Sequence, residues 1–216
     1  MASSERAIEI VHFADPWCWW SWGLEPVLQR LREVYGDHVQ VTYKMGGQFE
    51  SLQEWMHEYG VDEHTTLDWI RESVELTKMP VRPDYYFRSG VASSYPACRA
   101  FKAAQGQSEA LAARYSRRMM EAFGLEGRPA TDEELIRLAA EVGLDGDRLE
   151  KDLDSGDVAK AFEADRDEMR RSGVNFLSLL VRNRRGQQVV KGDTFTSKPF
   201  ETIIDDLEPG LPKRSP

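Results

Sequence analysis

Apolar and polar residues alternate along Ala7-Ile8-Glu9-Ile10-Val11-His12-Phe13, and the stretch is rich in β-branched side chains, which predicts a strand. Leu24, Val27, Leu28, Leu31 and Val34 then recur at helical spacing. Gly36-Asp37 marks a turn, and His38 to Met45 reads as a second strand closed by Gly46-Gly47. Strand, helix and strand joined by such short links predict a βαβ unit with a parallel pair.

From Gln48 to Gly173 the period is helical. Ser51 and Glu54 form a capping box ahead of Leu52, Trp55, Met56 and Tyr59. A second helix runs from Thr66 to Thr77 and stops before the prolines of Met79-Pro80-Val81-Arg82-Pro83, and Asp84 to Ser94 reads as a loop. Helices follow from Tyr95 to Ala104 and from Glu109 to Phe123, with a loop over Gly124 to Pro129. Thr131 and Glu134 make another capping box for a helix ended by Gly143, and charge-dense helices cover Asp147 to Leu153 and Val158 to Arg171.

The strand pattern returns in Val174 to Val181, turns at Asn183-Arg184-Arg185-Gly186, and comes back through Gln187 to Gly192 as an antiparallel hairpin. Lys198 to Leu207 is the closing helix, and Glu208 to Pro216 reads as a disordered tail. Strands so far apart in sequence must share one sheet. The class is α/β, laid out like a thioredoxin fold with a large all-helical insertion between its second and third strands. The expected division is a discontinuous thioredoxin-like domain, residues 1–47 and 155–216, and a helical insertion domain, residues 48–154.

Composition narrows the function. With 41% hydrophobic and 30% charged residues, the 216-residue chain can bury a sizeable core. A net charge of −9 without a basic stripe argues against a nucleic-acid partner. No apolar run approaches the ~18 residues that span a bilayer, and Met1 to Arg6 carry neither an apolar core nor a cleavage signal. A cytoplasmic protein without a membrane partner is expected. Its two cysteines, Cys18 and Cys98, make no disulfide scaffold, so two free thiols are the default. Histidines 12, 38, 57 and 64 lack partners at ligand spacing, and the acidic run around Asp154 to Asp157 lacks the pattern of a calcium loop. No metal and no resident cofactor are expected. His12 reads as a strand residue facing a helix.

The candidate chemistry lies in Phe13-Ala14-Asp15-Pro16-Trp17-Cys18-Trp19-Trp20-Ser21-Trp22-Gly23-Leu24-Glu25-Pro26, where a strand ends and a helix begins. Unpaired N–H groups and the positive end of the helix dipole favour a thiolate there. Trp17, Trp19, Trp20 and Trp22 surround the thiol with bulky apolar surface. The plainer alternative is that Cys18 is a small buried hydrophobe and the tryptophans are core. Asp15 either modulates Cys18 or caps the turn.

The motif Asp15-Pro16-Trp17-Cys18-x-x-Ser21-Trp22-Gly23 resembles the active-site stretch of DsbA-like thioredoxin-fold proteins, which reads D-P-x-C-x-x-C-[WY]-G in the cytoplasmic branch of FrnE-like, protein-disulfide-isomerase-like proteins and DsbA-related ClpXP adaptors. Met45-Gly46-Gly47 and Ser93-Ser94-Tyr95-Pro96-Ala97-Cys98-Arg99-Ala100-Phe101-Lys102-Ala103-Ala104 agree with it, and the resemblance spans about Glu9 to Leu207. It implies that Cys18 is the nucleophile of a thiol-disulfide oxidoreductase, with Ser21 donating a hydrogen bond to its thiolate. Pro16, Trp17, Trp19, Trp20, Trp22, Phe176, Leu177 and Ser178 would meet the substrate.

Two departures matter. Ser21 replaces the family's second cysteine, so the C-x-x-S site is monothiol and needs an outside thiol to resolve a mixed disulfide. Leu177 stands where the family has a cis-proline, and a trans bond is expected because cis before leucine costs ~2.5–4 kcal/mol. Cys98 is expected to pack between helices among Ala97, Phe101 and Ala104 rather than resolve Cys18. The implied partner is a thiol- or disulfide-containing protein, with glutathione as a possible co-substrate. The alternatives are a non-catalytic adaptor binding a client protein, and a glutathione-dependent isomerase or transferase. The 2-hydroxychromene-2-carboxylate isomerases of this fold carry serine at the position of Cys18.

Overall fold

The computed structural model describes residues 7–193 and 195–214. The expectations for Met1 to Arg6 and for Ser215-Pro216 lie outside them. Strand β1 (Ile8–Ala14) leads into helix α1 (Trp19–Tyr35), a single 3-10 turn and strand β2 (Val39–Met45). Eight α-helices follow: α2 (Leu52–Glu58), α3 (Glu63–Thr77), α4 (Tyr85–Ser89), α5 (Tyr95–Gln107), α6 (Glu109–Glu121), which runs on into a π-helical turn (Ala122–Glu126) where a loop was expected from Gly124, α7 (Asp132–Glu141), α8 (Gly146–Leu153) and α9 (Gly156–Ser172). The hairpin β3 (Ser178–Asn183) and β4 (Gly186–Lys191) then precedes α10 (Lys198–Leu207).

The sheet order is β2-β1-β3-β4. β1 and β2 pair in parallel from Ile8↔Val39 to Ala14↔Met45, whereas β3 runs antiparallel to both β1 and β4. Side chains alternate between the two faces of β1. Ile8, Ile10 and Ala14 join Leu24, Leu28, Phe200 and Ile204 in the main core under α1 and α10. Val11 and Phe13 point the other way, meeting Leu180, Val174 and Met169 of α9. Each of these large buried side chains contributes ~1.5–3 kcal/mol.

Helix ends follow local chemistry. Ser51, Asp62, Ser108, Thr131, Asp145 and Ser155 each accept the amide three residues on, a contact worth ~1 kcal/mol apiece. At α7 only half of the expected box forms, because the Glu134 carboxylate turns to Arg128 and Arg137.

Four further expectations are corrected. The Asp62 cap starts α3 three residues before Thr66. The predicted loop from Asp84 to Ser94 contains α4, which ends at Gly90 with φ 66°. The predicted strand from Val174 begins only at Ser178, because the Asn175 side chain accepts the Leu177 amide and the Ser178 hydroxyl and forms a turn. The tail is placed rather than disordered through Arg214, whose amide donates to the Val34 carbonyl at 2.7 Å. As expected, the Phe176–Leu177 bond is trans, since the described residues hold no cis peptide.

Candidate functional site

The turn that presents Cys18 is fixed by Asp15. The Asp15 carbonyl accepts the Cys18 amide at 2.9 Å, and its carboxylate accepts the Trp17 amide at 2.8 Å. Cys18 is itself the N-cap of α1, extended at φ −90° and ψ 110°, and its carbonyl takes the Trp22 amide. The Ser21 amide, the Ser21 hydroxyl and the Trp20 amide all act on the Cys18 sulfur and favour the thiolate.

Burial outweighs them. Cys18 is 2% exposed. Loss of solvent, aided by the negative charge of Asp15, pushes its thiol up to about 12. A thiol so placed keeps its proton at pH 7. Burial thus works against the thiolate that the start of the helix favours.

The tryptophans are mostly interior. Trp17 stacks on Phe123 with centroids 4.2 Å apart, and its carbonyl accepts the hydroxyls of both Tyr85 and Tyr86 from α4. Trp19 packs against Tyr85 and Tyr86, and Trp22 lies beneath the Arg117 guanidinium. Pro16, Trp17, Trp19 and Trp22 are all buried, so the expected substrate surface is mainly core. Trp20 alone of the four is half-exposed, and Phe195 stacks on it at 5.8 Å. The crevice beside Cys18, walled by Val81, Tyr85, Met120 and Gly124, holds only about 10 Å³, roughly room for one water.

Beneath the motif lies a buried polar cluster that the sequence reading did not assemble. One Asp15 oxygen accepts the Gln48 amide at 2.7 Å, the Ser94 hydroxyl at 2.7 Å and the Cys98 thiol at 3.3 Å. Burial raises the Asp15 pKa against the pull of these donors. Burial and Asp15 together raise Cys98 well above the ordinary thiol range. Both cysteines are free and buried; Cys98 lies on α5, where Ala97, Phe101 and Ala104 are buried as well, but its thiol turns to Asp15 beneath the motif. The motif Ser94-Tyr95-Pro96-Ala97-Cys98 carried the signal for two of these partners. Tyr85 and Tyr86 had none, lying in a stretch read as loop.

Phe176, Leu177 and Ser178 serve their own turn. Phe176 covers Gly46 beside Met169, at the end of the sheet where Gly46 donates to Ala14. The Leu177 carbonyl accepts the Gly192 amide at 2.6 Å, and the Ser178 hydroxyl is taken up by Asn175. Phe176 and Leu177 remain half-buried and Ser178 is buried. His12 is fully buried and faces α1, with Nδ1 3.7 Å from Glu25 and its ring 5.7 Å from Tyr43. Among the described residues no group of three or more His, Cys, Asp or Glu side chains is arranged to hold a metal ion.

Comparison with known proteins agrees with this layout. A family model described as "Thioredoxin" matches residues 12–183. The ClpXP adapter protein SpxH of Halalkalibacterium halodurans is 29% identical over 179 residues, covering 82% of this chain and 58% of the relative. SpxH of Shouchella clausii is 30% identical over 165 residues, covering 75% and 53%. The chain thus spans little more than half the length of these curated relatives. Among solved structures, a candidate protein disulfide isomerase from Nitrosomonas europaea superposes with a TM-score of 0.74 at 18% identity, covering 93% of this chain and 97% of that one. The cytosolic disulfide reductase DsbM from Pseudomonas aeruginosa gives 0.69 at 24% identity, covering 90% and 93%, and has also been solved with GSH. At these identities the structures speak for the fold.

Proposed function

Because the chain belongs to the thioredoxin family, in its DsbA-like branch, we propose that it is a thiol-disulfide oxidoreductase homologue whose Cys18 works as a gated monothiol. The observation that supports this most directly is the place of Cys18 at the N-cap of α1, where the Ser21 amide and hydroxyl and the Trp20 amide favour the thiolate while burial keeps the proton on. The donors are in place for a thiolate, and the roof of Tyr85, Val81 and Met120 withholds it. When that roof opens, Cys18 loses its proton and attacks a disulfide. One S–S bond forms between Cys18 and the partner, and the partner's other sulfur leaves as a thiolate. With Ser21 in place of a second thiol, an outside thiol such as glutathione attacks the mixed disulfide and returns Cys18 to the reduced state. Proteins carrying disulfides, or oxidised glutathione itself, are the substrates of this reading.

The second reading, a client-binding adaptor without catalysis, is favoured by the buried thiol and by the SpxH relatives. The two part company in one experiment, alkylation of Cys18 against pH in a Cys98→Ala background. The gated monothiol predicts a rate that keeps climbing past pH ~8.5, where a free thiol levels off, because closed Cys18 ionises only near about 12. It also predicts a slow mixed disulfide with oxidised glutathione, seen by intact mass and abolished by Cys18→Ser. A thiol that reacts only as the protein unfolds would sink the redox reading and leave the adaptor.

A further inference from the structure

A row of aromatic rings leads away from the thiol site to the surface. Trp17 touches Tyr86 (6.3 Å between centroids), Tyr86 meets Trp55 edge-on (6.4 Å), Trp55 meets Tyr59 (5.1 Å), and Tyr59 meets Trp69 (6.3 Å, 87° between planes). The row begins in the core and ends in water: Tyr59 is 57% exposed and Trp69 36%. Two steeply inclined rings at the surface, with Trp55 half-buried behind them, form an open corner of π faces.

The charge around that corner has one sign. Residues 50–77, which carry α2 and α3, hold Glu50, Glu54, Glu58, Asp62, Glu63, Asp68, Glu72 and Glu75 against the single cation Arg71, a net −7 within a chain of −9. Glu58 lies three residues past Trp55, and Glu72 three past Trp69, so both stand next to the rings on their helices. Arg71 is already paired with Asp68 at 2.6 Å.

Elsewhere the protein covers its aromatic faces with its own guanidinium groups. Arg117 lies over Trp22, Arg32 over Tyr43 and Arg166 over Tyr95, at 4.7–5.8 Å from the ring centres. Among the described residues no lysine or arginine covers Trp55, Tyr59 or Trp69. Electron-rich faces with carboxylates beside them attract a cation doubly, through the ring quadrupole and through the acidic charge.

We propose that the Trp55–Tyr59–Trp69 corner of α2 and α3 is a docking surface for an arginine- or lysine-bearing segment of a partner protein, the cationic side chain lying against Tyr59 and Trp69 with Glu58 and Glu72 beside it. This surface does not depend on Cys18, so every binding measurement is made on the full chain carrying Cys18→Ser, which separates it from the redox proposal.

The probes are a short fluorescein-labelled peptide of alternating arginine and glycine and its glutamate counterpart, followed by anisotropy. The arginine peptide binds, binding weakens as salt rises, and Tyr59→Ala or Trp69→Ala weakens it about tenfold. Tyr59→Phe, which keeps the ring, retains the affinity and controls for folding. The glutamate peptide does not bind. Equal binding of both peptides overturns the proposal, as does unchanged affinity in the Tyr59→Ala, Trp69→Ala double variant. Loss of binding on Glu58→Lys, Glu72→Lys with no effect of the aromatic variants reduces the surface to bulk electrostatics and overturns it too. Self-association in sedimentation that the double variant abolishes would make a second copy of the chain the occupant, again against the proposal.

Discussion

The Asp15 carboxylate accepts four hydrogen bonds, from the Trp17 and Gln48 amides, the Ser94 hydroxyl and the Cys98 thiol, in a position without solvent. Its raised pKa has a definite sign in the stability. A carboxyl that holds its proton more tightly when folded contributes stability fully present below its unfolded pKa and lost as pH rises through the folded value. Asp15→Asn removes that loss but puts an amide, a donor, where acceptors are needed. At pH 7 the variant is expected to be less stable by ~1–3 kcal/mol, with a flatter dependence on pH above the ordinary carboxylate range, both read by urea unfolding. It also removes the charge that raises Cys18, so Cys18 alkylation speeds up even as stability falls. A slower reaction would show that Asp15 acts on Cys18 only by holding the turn. At this scale the sequence was legible in part. Cys18, its N-cap position and the proximity of Asp15 could be read from adjacent residues. The ionisation of Cys18 could not, because the tyrosines that bury it arrive about 68 residues later.

Elements meet around small residues as much as around large ones. Gly23 of α1 leaves room for α3 and for the loop after β4: a Cβ there would lie 2.5 Å from Thr77 Cγ2 and 2.8 Å from Phe195 Cε1. Phe195 holds φ 48°, in the left-handed region, where a bulky side chain sits only when its surroundings hold it. Gly23→Ala is therefore expected to cost ~1–3 kcal/mol and to lift Phe195 off Trp20, seen as a lower melting temperature and a red-shifted tryptophan emission. Unchanged emission would mean that Thr77 yields instead. The period of apolar positions located the strands and nearly every helix. It failed where a side chain competed with the backbone: Asn175 unwinds the start of an apolar strand, and Asp62 begins a helix before any apolar residue calls for one.

For the molecule as a whole, the order of elements was enough to assemble one sheet from both ends of the chain, since β1 and β3 are each too apolar to remain unpaired. What the order could not convey was how the ends are tied. Asp205 of α10 accepts from Lys213 at 2.7 Å, Lys213 lies over the Tyr35 ring, and Arg214 occupies the space that a side chain at Gly36 would need. Tyr35, pushed up to about 12 mainly by burial, reports on this clasp. Ending the chain at Glu208 is expected to cost about 1–2 kcal/mol and to raise the Tyr35 titration further, because Lys213, which holds it down, is lost while Asp205 stays beside the hydroxyl, followed by ultraviolet absorbance. A fall in the Tyr35 titration would show instead that the tail acts on Tyr35 mainly by burying it.

The crowding of indoles around Cys18 has an optical consequence. Trp19 and Trp20 stand 6.2 Å apart at 51°, close enough and inclined enough for their transitions to couple and produce a paired positive and negative band in circular dichroism. Trp17, stacked on Phe123, is locked in a fixed asymmetric setting and adds a sharp near-ultraviolet signal. A motion that admits a partner to Cys18 and turns these rings would therefore be read as a change in dichroism, with no label attached.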